Sequence, residues 1–128
     1  LSYEQIMKKC EESLKSGSNL IIFPEGTRSL ASGQNKFKKG AARISLASGC
    51  PIVPVYMGGN DKRGLRKHDS MFCYNTRHCY HYDAHMKEPI YPQKYKALPF
   101  PAAAKRITTE LKEILSDQNN AEYIKIYQ

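Results

Sequence analysis

Apolar residues recur along this chain with two different periods, and the change of period divides it into elements. Ile6, Met7, Cys10 and Leu14 fall on one face at helical spacing. Ser2, three residues before Gln5, forms the capping box that starts such a helix, and Gly17 supplies the stop that ends it. The apolar run at residues 20–23 then has the length and composition of a buried strand, and it ends at Pro24, which has no backbone donor to continue a ladder. Residues 30–36 are polar and contain Gly33, which predicts a loop. A second helix is expected over residues 39–48, with Gly49 at its C-terminal cap, and a second buried strand over residues 51–56. A helix between two strands is the unit that builds parallel sheets. Residues 58–67 are Gly-rich and basic, a surface loop, and the alternation around Tyr80 and Tyr82 at residues 78–83 predicts another strand. After a Pro-rich stretch at residues 89–101, Ile107, Leu111, Ile114 and Leu115 make one stripe of a last helix over residues 102–115. The pattern predicts an α/β fold: a mostly parallel mixed sheet flanked by helices.

The junction after the first expected strand carries the candidate chemistry. Residues 23–29 read F-P-E-G-T-R-S, which places a glycine, two hydroxyls and a guanidinium just beyond a strand end, where open α/β sheets face their ligands. Gly26 allows the backbone to turn closely around an anion, Thr27 offers a hydroxyl, and the planar fork of Arg28 matches phosphate geometry in a way that lysine does not. Glu25 would repel a phosphate directly, so its expected part is to orient Arg28 or a nearby amide. Lys38 stands just before the second helix, whose N-terminus already favours anions. An ordinary strand-to-loop turn with exposed charges accounts for the same residues equally well.

Three segments in order resemble the glycerolipid acyltransferase family, which acylates glycerol 3-phosphate and 1-acylglycerol 3-phosphate. F-P-E-G-T-R at residues 23–28 is similar to its third sequence block, F-K-K-G-A at residues 37–41 to its F-K-x-G-A segment, and C-P-I-V-P-V at residues 50–55 to its fourth block. The likeness is closest over residues 1–60. The resemblance implies that Glu25, Gly26, Thr27, Arg28 and Lys38 bind the substrate phosphate. It also implies transfer of an acyl group from an acyl-CoA or acyl carrier protein thioester, as co-substrate rather than cofactor, to the free hydroxyl of 1-acylglycerol 3-phosphate or glycerol 3-phosphate.

In that family the catalytic His and Asp stand in an N-H-x-x-x-x-D block before the phosphate block. No His precedes Phe23 here. We therefore expect residues 1–128 to be the C-terminal portion of a single, incomplete acyltransferase domain, with the catalytic block upstream and no catalytic residue within this chain. A non-catalytic protein of the same descent that binds anionic lipid or phosphate fits the residues too.

His78 and Asp83 have the H-x-x-x-x-D spacing but follow the phosphate block, and in a strand they point to opposite faces, so they are not expected to form a dyad. Cys73, Cys79, His81 and His85 are residue types that zinc favours, yet their spacing matches no common zinc module, and no metal is expected.

Composition narrows the partners. With 128 residues and 41% hydrophobic content the chain can bury one modest core, and no apolar run approaches the roughly 20 residues that cross a bilayer. The four cysteines form no disulfide pattern, which suits a reducing compartment. Twenty Lys and Arg against 12 Asp and Glu give a net charge of +8, which calls for an anionic partner. The nine Tyr are scattered and accompany no nucleic-acid motif. The expected partners are thus lysophosphatidate or glycerol 3-phosphate, an acyl thioester and an anionic membrane surface, with no nucleic acid, in a cytoplasmic protein peripheral to the membrane.

Overall fold

The computed structural model describes residues 1–26, 36–59, 82–116 and 118–122. Three helices and one hairpin account for its regular structure. α1 spans Tyr3–Lys15, and its capping box is formed as the sequence dictates: the Gln5 amide donates to Ser2 Oγ at 3.3 Å and the Ser2 amide to Gln5 Oε1 at 2.9 Å. The helix stops where Gly17 adopts φ +92°, and the Ser18 amide reaches back to the Ser13 carbonyl at 3.0 Å, which satisfies a terminal acceptor. None of its residues is fully buried. Arg43 of the next helix ties α1 down, donating to the Tyr3 hydroxyl at 3.3 Å with its guanidinium 5.6 Å from the ring centroid.

α2 spans Gly40–Ser48 and ends at Gly49, whose φ of +74° is the left-handed cap that a side chain resists. A Cβ built there would meet only Gln93 Nε2 at 3.8 Å, so backbone strain alone sets the penalty of a substitution. Gly49→Ala is expected to lower stability by about 1–2 kcal/mol, read as a lower urea midpoint with an unchanged slope.

β1 (Val55–Gly59) pairs antiparallel with β2 (Tyr82–Met86), in the register Val55 with Met86, Met57 with Ala84 and Gly59 with Tyr82. Upstream, Ile52 and Ile90 exchange backbone bonds of 2.9 and 2.8 Å, leaving residues 53–54 opposite residues 87–89. That mismatch is a bulge, and it falls where Pro54 and Pro89 cannot donate. Pro54 and Tyr56 face inward and are buried, while Val55, Met57, Ala84 and Met86 face outward and are exposed.

α3 spans Phe100–Ile114, entered through a 3-10 turn at Pro92–Tyr95. It packs on α2, and the small residues Ala42, Ala103 and Ala104 let the two helices approach closely. Ile90, Tyr95, Ile107 and Leu111 complete this core, with Phe37, Leu46, Ile52, Ile114 and Leu115 packed around it. Past α3, the fully buried Asn120 donates through Nδ2 to the Ile114 and Ser116 carbonyls at 2.9 and 2.7 Å and closes the helix end.

Three expectations about the sheet are corrected. Residues 20–23 form no strand: Ile21 is 87% and Phe23 76% exposed, and an apolar run without a ladder partner among the described residues has nothing to hold it as one. Among the described residues the sheet is two-stranded and antiparallel instead of mostly parallel, because β1 pairs with β2 and not with residues 20–23. The strand expected over residues 51–56 begins at Val55, since Pro51 and Pro54 interrupt the donors before it. The α/β character and all three helices stand.

Candidate phosphate-binding loop

The turn after residue 23 is built locally. The Gly26 amide donates to the Phe23 carbonyl at 2.9 Å, closing a four-residue turn in which Pro24 holds the position that its fixed φ favours. Gly26 itself takes φ +69°, a conformation natural to glycine. The turn is fastened to the segment before α2, where the Lys38 amide donates to the Pro24 carbonyl at 2.7 Å.

That fastening brings the Lys38 side chain across Gly26. A Cβ built on Gly26 would lie 2.9 Å from Lys38 Nζ, 3.1 Å from Cε and 3.2 Å from Cδ. The missing side chain is therefore what lets the ammonium lie against the loop backbone. Lys38 is exposed and Glu25 half-buried, so the cation at this turn is open to an incoming ligand. α2 begins two residues after Lys38, its N-cap Lys39 makes no side-chain capping bond, and its first turn carries no acidic residue. Uncapped amides and the positive end of the helix dipole add to the same charge preference.

Of the five residues expected to hold phosphate, Gly26 and Lys38 are thus brought into contact and Glu25 lies in the same turn. Thr27 and Arg28 lie outside the described residues. His78, Cys73, Cys79 and His81 lie outside them as well; Asp83 and His85 are half-buried on β2. Of the loop expected at residues 58–67, only Gly58 and Gly59 are described, and both belong to β1. Among the described residues no group of three or more His, Cys, Asp or Glu could hold a metal ion, and no helix is long and apolar enough to cross a membrane.

Sequence reasoning missed one polar cluster. Tyr95 donates its hydroxyl to Glu110 Oε2, and Lys94 Nζ lies 3.4 Å from Glu110 Oε1. Burial first, and the Glu110 carboxylate second, push the Tyr95 hydroxyl up to about 12. Nothing in the periodicity marks the pair, because Tyr95 ends a 3-10 turn while Glu110 lies well inside α3. A folded pKa above the unfolded value of about 10 means that this contribution to stability is complete below pH 10 and lost as pH rises toward 12. Tyr95→Phe is expected to flatten the denaturation midpoint across that alkaline window, followed together with tyrosinate absorbance. A groove of about 220 Å³ opens beside the cluster, lined by Leu46, Pro92, Gln93, Lys96 and Phe100 among others, and neither Gly26 nor Lys38 reaches it.

The sequence matches known proteins over the part that carries the loop. A family model described as Acyltransferase matches residues 1–58. A chloroplastic 1-acyl-sn-glycerol-3-phosphate acyltransferase of Brassica napus is 43% identical over 56 residues, covering 44% of this chain and 16% of the relative. The chloroplastic enzyme of the same description from Arabidopsis thaliana is 41% identical over 56 residues, again 44% of this chain and 16% of the relative. A 1-acyl-sn-glycerol-3-phosphate acyltransferase of Pseudomonas aeruginosa is 36% identical over 55 residues, 43% of this chain and 21% of the relative. The matched segment thus spans about a fifth or less of these relatives' length. No solved structure matches the chain. The F-P-E-G-T-R and F-K-K-G-A segments both lie inside the matched region, and over residues 1–58 the chain is similar to the acyltransferase family.

Proposed function

We propose that this chain grips the phosphate of 1-acylglycerol 3-phosphate in an enzyme that acylates the free hydroxyl of that substrate. The observation that carries the reading is the seating of the Lys38 ammonium against Gly26, in the loop whose sequence the family model covers. In this reading Lys38 supplies a point charge and Arg28 a bidentate fork, while Thr27 donates a hydroxyl and Glu25 orients its neighbours. Held by its phosphate, the glycerol presents its hydroxyl oxygen to the thioester carbonyl of acyl-CoA or acyl carrier protein. The carbon–oxygen bond forms, the thiol departs, and the hydroxyl proton passes to a base.

That base is the His of an N-H-x-x-x-x-D block in a catalytic portion to which residues 1–128 are the C-terminal complement. Removal of the phosphate contacts weakens substrate binding, and the chemistry at the thioester belongs to the other portion. The surplus of basic residues supports a location at an anionic membrane face on the cytoplasmic side, where an amphiphilic substrate would reside.

Calorimetric titration with glycerol 3-phosphate tests the phosphate site. Lys38→Met and Arg28→Ala are each expected to weaken binding at least about tenfold, the value of a charge-assisted hydrogen bond of roughly 1.5–3 kcal/mol. Affinity untouched by both substitutions would remove the site. A second reading is a protein of the same descent that binds the same phosphate without turnover. Acyl transfer by the protein isolated from its source cells separates the two, because only the enzyme consumes thioester.

A further inference from the structure

We draw no further inference here: the strongest candidate, the apolar outer face of the β1–β2 hairpin presented by Val55, Met57 and Met86, stands exposed, and nothing in the structure shows what covers it.

Discussion

Replacing Ile107 by Ala is expected to lower the unfolding free energy by about 2–5 kcal/mol. Ile107 is 0% exposed and lies midway along α3, in the cluster that it shares with Ala42, Ile90, Tyr95, Ala104 and Leu111. The loss combines the transfer of the removed methylenes with the cavity left behind, and a core built around a single helix pair has few alternative packings. Urea denaturation followed by circular dichroism checks it. Ile107→Val serves as the control, expected to cost about 0.5–1.5 kcal/mol. A loss below about 1 kcal/mol for the alanine variant would mean that α2 and α3 close over the gap.

Gly26→Val is expected to weaken glycerol 3-phosphate binding about a hundredfold while leaving the α2–α3 core folded. Two penalties meet at this position. A β-branched residue at φ +69° is strained by about 1–3 kcal/mol, and its Cβ would displace Lys38 Nζ from 2.9 Å. If Gly26 acts by seating Lys38, the Gly26→Val and Lys38→Met effects on affinity are strongly non-additive, and the double variant binds little worse than Gly26→Val alone. Additive losses in calorimetry would show that the two residues serve the ligand independently. Far-UV circular dichroism is expected to be unchanged in all three variants, since neither side chain belongs to the core.

The helices were legible because their signals are local. Ser2 and Gln5 name a start, Gly17 and Gly49 name two ends, and the stripe from Ile107 to Leu115 names the buried face of α3; each depends on residues within a few positions of one another. The sheet was not legible in that way. An apolar run such as residues 20–23 states a preference for burial but not the identity of a partner, and strand pairing is decided between residues far apart, as between Tyr56 and His85. The inferred parallel pairing failed at that step. The candidate site lies between these cases. Gly26 and Lys38 were each named from the sequence, by loop chemistry and by resemblance, but their contact depends on the Lys38 to Pro24 backbone bond, which no pattern announces. Tyr95 and Glu110 were missed for the same reason, since their hydrogen bond crosses from a 3-10 turn to α3.

The Ile52–Ile90 bridge also bears on how quickly the chain finds its core. Ala42 and Ala104 meet across most of the sequence that separates α2 from α3, and bringing such distant residues together directly carries a large closure entropy. Once the hairpin has zipped to Ile52 and Ile90, only short stretches remain between the bridge and the two helices, so the helix pair docks as a nearly local event. The hairpin thus shortens the effective separation of two helices to whose core its own strands contribute little.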